Sequence, residues 1–518
     1  MKALLMHPDR DFDPQQALPA NEADLRQDLE LETLFRAMAD QDDFLLEVAR
    51  KAILTGLHND VETVLYRQEI MKDCLANPAA ARQLYDLAVK AIEGRRQHYF
   101  GFGLGHYPGG VLHGSLSALK FFMGVLKEIR GVARANADRF ASRGFANLFA
   151  TLERELSDAY FERVHADLTE LQFRHGVLES AELGGGNEGV NYVLRKPSGK
   201  GPGWIRRLLG MGPPGYTFRL HPRDEAGARA LSELRDRGIN LVANALGQSA
   251  DHVQSFFVML RTELAFYLGG VALHEKLARK GEPTCFPVPQ PLGRRRQRAR
   301  GLYDVCLTLS MEPKVVGNDC DADGKSLVLV TGANRGGKST FLRAIGLAQL
   351  MMQSGLFVGA ESFEAELCAG LFTHYKREED KGMESGKLDE ELVRMSAIAD
   401  QVAPSSLVLF NESFAATNER EGSEIARQVV RALLETRIKV FFVTHQYDFA
   451  HGFYVRKADE VLSLRAERSE DGSRPFKLVE GEPLDTSYGG DLYREIFGDV
   501  PEDGDAAPPA KAPLRAAG

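Results

Sequence analysis

Several familiar classes are closed to this chain by what it has little of. Its 518 residues contain one tryptophan and five cysteines. Cys74, Cys285, Cys306, Cys320 and Cys368 are odd in number and far apart, without the short paired spacings of zinc or redox sites, so free thiols in a reducing compartment are expected. No run approaches the ~18 to 20 consecutive apolar residues that a membrane span requires. Only Ala3 to Met6 separate Lys2 from the polar His7-Pro8-Asp9-Arg10, too few for the apolar core of a secretion signal. Basic charge is not in excess either. With a net charge of −9 and a pI ≈ 5.9, any contact with nucleic acid or an anionic surface must come from local patches. A cytoplasmic chain with no membrane association is the expectation.

What the chain does have is length and apolar content, enough for roughly three or four structural units. From Leu25 to about Arg96, and again from Ser115 to about Phe173, apolar residues recur three and four apart, as in Phe44, Val48 and Ala52 or Leu119, Phe122, Val125 and Ile129. Such stripes are packing faces of helices. Between Gly184 and Gly215 glycine and proline punctuate short β-like pieces, and Arg195, Lys196, Lys200, Arg206 and Arg207 gather around Trp204. That cluster is able to touch a phosphate backbone, and equally reads as a solvated loop. Helical spacing returns at Val253, Phe256, Phe257, Leu260, Leu264 and Leu268, followed by a run of arginines from Arg294 to Arg300 that reads best as a solvated charged linker. Strands and helices then alternate. The expected boundaries are an N-terminal segment over 1–24, a helical part over 25–183, the Gly-rich insertion over 184–224, a second helical part with the basic linker over 225–300, an α/β domain over 301–500, and a disordered tail over 501–518.

The α/β part opens on the most informative stretch, Ser326 to Thr340, SLVLVTGANRGGKST. Four β-favouring residues, Leu327 to Val330, run into Gly332, four spacers, then Gly337, Lys338 and Ser339, with helical periodicity behind them. This is a phosphate-binding loop between its strand and its helix. Backbone N–H groups of Gly332, Ala333, Asn334, Arg335, Gly336, Gly337 and Thr340 are placed to cradle phosphates, Lys338 to reach the β and γ phosphates, and the Ser339 hydroxyl to ligate Mg²⁺. A second strand, Leu407 to Phe410, ends in Asn411-Glu412. Glu412 can polarise an attacking water as general base, and Asn411 stands where an aspartate would orient the metal shell. A third strand ends in Val443-Thr444-His445, which puts an imidazole where it can sense the γ-phosphate.

These residues resemble the MutS family of DNA mismatch-repair ATPases. TGANRGGKST at 331–340 looks like that family's phosphate loop, LVLFNESFAATNEREG at 407–422 like its acidic strand and following loop, and FFVTHQYDF at 441–449 like its strand-plus-histidine motif. Gly317-Asn318-Asp319 and Ser487-Tyr488-Gly489 also resemble family segments, as does VETVLYRQEIMKDCL at 61–75 among its core and lever helices. The resemblance implies a multidomain α and α/β fold, with a helical core and lever followed by an ABC-type P-loop ATPase domain. It implies ATP and Mg²⁺ as ligands, and a homodimer in which Ser385, heading a helix, completes the partner's site in trans. It also implies DNA as partner, alongside repair or recombination proteins. ATP binding would be the switch and hydrolysis the reset.

Three features depart from the family pattern. Core-like helices begin almost at once, so a short form without the N-terminal mismatch-recognition domain is expected. The Gly-rich stretch sits where long levers and a DNA clamp are expected. Asn411 removes a carboxylate next to the metal, so slow turnover with intact ATP binding is expected. A nucleotide-gated protein-binding scaffold without DNA function is the competing reading. Val316 and Tyr303 are candidates by position for stacking on adenine.

Overall fold

The computed structural model describes residues 1–99, 107–174, 176–196, 219–377, 386–456, 459–469 and 473–484. Two compact units divide the chain. The first comprises Met1–Leu18, Phe35–Lys276 and Ser354–Leu356; the second comprises Pro19–Leu34, Leu277–Gln353 and Phe357–Gly518.

The first described helix, α1 (Glu22–Asp28), belongs to the second unit although its spacing reads as the start of the helical part. The reason lies in its polar residues. Asn21 donates to the carbonyl of Leu371 at 2.8 Å, Asp24 pairs with Arg377, and Asp28 with Arg394 at 3.8 Å. Periodicity reports that a face is buried, and those partners decide against what.

The first unit is built from the part of α2 (Leu31–Ala39) that follows Leu34, from α3 (Asp43–Thr55), α4 (Val61–Ala76), α5 (Pro78–Tyr99), α6 (Pro108–Asn136), α7 (Arg143–Glu155) and α8 (Asp158–Glu170), and from the long α9 (Glu225–Arg279) as far as Lys276. Side-chain caps at Asp42, Asp60, Ser142 and Ser157 accept backbone N–H groups and fix the starts of α3, α4, α7 and α8. Helix α6 runs through Gly109, Gly110 and Gly114, where the composition reads as a break. Pro108 at its first position presets the turn, and burial of Leu112, Leu116 and Leu119 offsets the ~1 kcal/mol that each glycine costs. A two-stranded antiparallel hairpin pairs β1 (Glu179–Leu183) with β2 (Gly189–Leu194), so β structure begins before the expected boundary at 183/184, inside the stretch expected to be helical.

Among the described residues two helices, Pro108–Arg139 and Glu225–Arg279, contain windows whose average apolar character is high enough to cross a membrane, although neither is an unbroken apolar run. Those windows are 50% and 78% buried within the protein, as core helices are.

At the centre of this unit the N-terminal segment is held by a buried polar cluster. Glu263, fully buried on α9, accepts the backbone N–H groups of Leu5 (2.6 Å) and Phe12 (2.8 Å). Arg67 on α4 donates to the Met6 carbonyl at 2.7 Å, and the Tyr66 and Tyr267 hydroxyls donate to the carbonyls of Leu4 and Leu5.

The second unit carries two sheets. Four strands, β3 (Val288–Gln290), β4 (Gln297–Leu302), β5 (Asn318–Asp321) and β7 (Ser362–Glu366), form one in the order β3-β7-β4-β5. The arginine run is therefore no linker. It enters β4 across the expected boundary at 300, and Arg296 and Arg298 pair with Asp323, Arg298 also with Asp321 at 3.3 Å. The other sheet orders β6 (Leu327–Gly332), β8 (Leu371–Tyr375), β9 (Leu407–Asn411), β10 (Lys439–Val443), β11 (Val461–Ala466) and β12 (Leu478–Glu480) as β12-β11-β6-β10-β9-β8. All neighbours are parallel except β11 and β12. Helices α10 (Val305–Ser310), α11 (Lys338–Ser354), α12 (Lys387–Ala399), α13 (Glu419–Glu435) and α14 (Tyr447–Arg456) complete the unit. Leu327, Leu329, Val408, Phe410, Val440 and Phe442 pack with Val430, Leu433 and Phe449 in one core. The unbroken apolar runs of β6, β9 and β10 reflect burial on both faces.

Burial pushes the Glu263 carboxyl up from 4.5 to about 7, with its backbone hydrogen bonds opposing. The folded state thus holds a proton that the unfolded chain has released, and unfolding free energy falls as pH rises across that window. Urea midpoints should be lower at pH 7.5 than at pH 5.5, and Glu263→Gln should flatten the slope. An unchanged slope in the variant would remove Glu263 as its source.

Candidate functional site

The loop after β6 has the conformation that its glycines anticipate. Gly332 has φ +101°, and a Cβ there would lie 2.8 Å from the Ala466 nitrogen; Gly337 has φ +88°. Arg335 adopts φ +57° between them. Lys338, the first residue of α11, is 5% exposed, and its Nζ donates to the carbonyls of Gly332 (3.1 Å) and Ala333 (2.9 Å). Burial lowers its ammonium to about 8, the Glu412 carboxylate opposing and Arg474 adding to the shift. The loop therefore encloses its own cation, which is available to an anion that offers more than two carbonyls do.

Parallel pairing sets Val443 on β10 beside both Val330 on β6 and Asn411 on β9, which brings the three strand ends together. The Ser339 hydroxyl donates to Asn411 Oδ1 at 2.8 Å. His445 Nε2 lies 2.8 Å from Glu412 Oε1, and that hydrogen bond is the main cause holding the Glu412 carboxyl below its usual range, against desolvation. Glu412 itself has φ +53°. Among the described residues no group of three or more His, Cys, Asp or Glu side chains could hold a metal. A hydroxyl, an amide oxygen and one carboxylate nevertheless suit Mg²⁺, which keeps several waters and takes further oxygens from phosphate.

A cavity of about 420 Å³ opens over the loop, lined by Asn334 to Phe341 on one side and by Tyr303, Leu307, Met311, Val316, Asn318 and Phe476 on the other. Val316 and Tyr303 both reach it, Tyr303 being almost wholly buried. Phe476 was not anticipated. It is 47% exposed, sits at φ +58°, and is held over the loop by the Asn318 amide, which donates to its carbonyl at 3.1 Å and accepts from the Leu478 N–H at 2.8 Å. Arg474 donates to the Asn334 carbonyl at 3.1 Å. In the sequence Phe476 is only an aromatic following Pro475, which carries no signal of its own. Gly317-Asn318-Asp319 thus acts as a latch: Asp319 accepts the Gly301 N–H at 2.7 Å, and a Cβ on Gly317 would lie 2.6 Å from the Gly301 carbonyl oxygen.

Ser385 and the Ser487-Tyr488-Gly489 turn fall outside the described residues, as do Lys200, Trp204, Arg206 and Arg207. Gly386 caps the start of α12. Of the remaining basic cluster, Arg195 donates to Ser180 Oγ and Lys196 pairs with Glu170 at 2.9 Å.

Comparison with known proteins matches residues 59–280 to the MutS2 N-terminal domain and residues 328–498 to MutS domain V. The chain belongs to the MutS family. Its phosphate loop, acidic strand and histidine strand all fall inside the domain V match, an assignment that carries ATPase chemistry at the level of the family. Relatives include the MutS protein homolog 4 of Mus musculus, 30% identical over 197 residues, or 37% of this chain and 21% of that protein. The DNA mismatch repair protein MutS of Syntrophomonas wolfei is 32% identical over 202 residues, 38% of this chain and 23% of that protein. That of Chloroflexus aurantiacus is 29% identical over 270 residues, 50% of this chain and 27% of that protein. The chain thus spans 21 to 27% of the length of these MutS-family relatives.

A polyphosphate seated against Lys338 would raise its depressed pKa, so binding should take up protons near pH 8. Calorimetric titration of ATP in buffers of different ionisation enthalpy should show uptake at pH 8 that vanishes at pH 6.5. Absence of uptake at pH 8 would mean that the lysine does not meet the phosphates.

Proposed function

We propose that the chain is an ATP-dependent DNA-binding protein of the MutS type, a homodimeric clamp acting in the cytoplasm in mismatch repair or recombination by sensing DNA structure. The observation that supports it most is the convergence of Lys338, Ser339, Asn411, Glu412 and His445 at three adjacent strand ends beneath a cavity of nucleotide size. In this reading the loop amides and Lys338 hold the phosphates, and Phe476 and Val316 flank the base. Ser339 and Asn411 hold Mg²⁺, which supplies charge neutralisation at the phosphates. Glu412 takes a proton from the attacking water, and His445 orients that carboxylate. Ser385 completes the partner's site, so ATP binding closes the dimer and hydrolysis reopens it.

Asn411 makes the reset slow. Its amide accepts a hydrogen bond as a carboxylate does but brings no charge, and a unit charge ~4 Å from another is worth about 4 kcal/mol at an effective dielectric of 20. That figure bounds the loss from above.

Two measurements test the proposal. Binding to perfect, mismatched and branched duplexes across a salt series should weaken steeply with salt and shift with ATP, since each neutralised phosphate releases counterions. Failure to bind any of these DNAs at low salt would contradict DNA function. Asn411→Asp should raise the hydrolysis rate about tenfold, equivalent to ~1.4 kcal/mol of barrier. An unchanged rate would clear the amide of limiting turnover.

A further inference from the structure

The candidate general base sits in an unusual stretch of backbone. Glu412 (φ +53°) and Phe414 (φ +61°) both occupy the left-handed region on either side of Ser413, although neither is glycine. Non-glycine residues stay there only when surrounding groups over-determine the conformation. The Glu412 N–H donates to the Val443 carbonyl at 2.9 Å and the Gln446 amide to the Phe414 carbonyl at 3.0 Å. Gly422 leaves the room for that carbonyl, since a Cβ there would lie 2.3 Å from the Phe414 oxygen.

The remaining constraint comes from one side chain that the nucleotide chemistry does not use. His374, on β8 and fully buried, places Nδ1 at 2.8 Å from Ser413 Oγ and Nε2 at 2.9 Å from the Glu391 carbonyl in α12. The Ser413 hydroxyl also donates to the His374 carbonyl at 2.6 Å. The ring stacks on Phe414 with centroids 5.2 Å apart and planes 22° apart. Burial lowers the imidazole to about 4, so the ring is neutral. A carbonyl can only accept, which assigns the ring proton to Nε2, so Nδ1 and the His374 carbonyl share the single hydrogen of the Ser413 hydroxyl. One ring hydrogen bond to Ser413 and a stacked face on Phe414 therefore meet the residues next to Glu412, while the bond to the Glu391 carbonyl fixes the ring itself.

We infer that His374 is a positioning residue for ATP hydrolysis: through Ser413 and Phe414 it holds the left-handed turn that aims the Glu412 carboxylate at the attacking water. The inference rests on the proposed ATPase reading and adds to it a side chain that touches neither nucleotide nor metal.

The test separates aim from binding and from folding. His374→Phe keeps the ring stack and removes both hydrogen bonds. It should lower kcat at least about tenfold, part of the roughly 10²- to 10⁴-fold that a general base contributes, while the KM for ATP stays within about twofold. His374→Gln, whose amide can donate to the Glu391 carbonyl and accept from Ser413, should recover most of kcat. Ser413→Ala should slow hydrolysis comparably, and the double variant His374→Phe with Ser413→Ala should be no slower than the worse single, because the two act as one unit. Hydrolysis by His374→Phe at the wild-type rate would overturn the inference. So would parallel loss of kcat and ATP affinity without rescue by glutamine, or single effects that multiply in the double variant. Should His374→Phe lose its circular dichroism, the glutamine and Ser413→Ala variants decide by the same split. Wild-type hydrolysis indifferent to Glu412→Gln would reject the ATPase reading and this inference with it, whereas Glu412-dependent hydrolysis indifferent to His374 rejects the inference alone.

Discussion

A buried ammonium is the constraint around which the α/β unit is arranged. Lys338 is nearly inaccessible, and in water its charge would be far better solvated. Two loop carbonyls hold it in place, which requires the chain to turn back over it, which in turn requires glycines at 332 and 337. The strand that leads into this loop lies between β10 and β11, and the ends of β9 and β10 bring Asn411, Glu412 and His445 to the same edge. Glu412 is among the groups that favour the charged lysine, so the cation and the candidate base are electrostatically linked before any nucleotide arrives.

The parts that build this edge were legible because they are local. A glycine pattern between a β run and a helical run needs no knowledge of the rest of the chain, and strand-end polar residues stand out against the apolar runs that precede them. Parallel strands buried on both faces also read directly from Leu327 to Val330, Leu407 to Phe410 and Val440 to Val443. What did not read were features whose meaning depends on a distant partner. The arginines at 296 and 298 look like a solvated run until Asp321 and Asp323 are seen across β4 and β5. Helix α1 looks like the first core helix until its acids meet Arg377 and Arg394. Phe476 looks like an incidental aromatic until Asn318 latches its turn over the loop. His374 gave no signal, since a lone histidine in an apolar strand is more often a satisfied core residue.

The helical unit solves a different problem with similar means. Its core can order an N-terminal segment because Glu263, Arg67, Tyr66 and Tyr267 supply hydrogen-bond partners for backbone groups that would otherwise be buried unpaired. The sequence shows that stretch only as a few apolar residues before His7, and nothing in it announces a buried docking site. In each unit the apolar pattern sets the elements, and a few polar side chains decide which backbone segments are fastened to them.

The central claim is that one nucleotide site per chain is organised by Lys338, and calorimetric titration of wild-type protein and Lys338→Ala with Mg-ATP tests it most directly. The account predicts saturable binding at one site per chain in the wild type and loss of tight binding in the variant, with the folded circular dichroism signal retained. Undiminished affinity in Lys338→Ala, or no binding by the wild type, would contradict it.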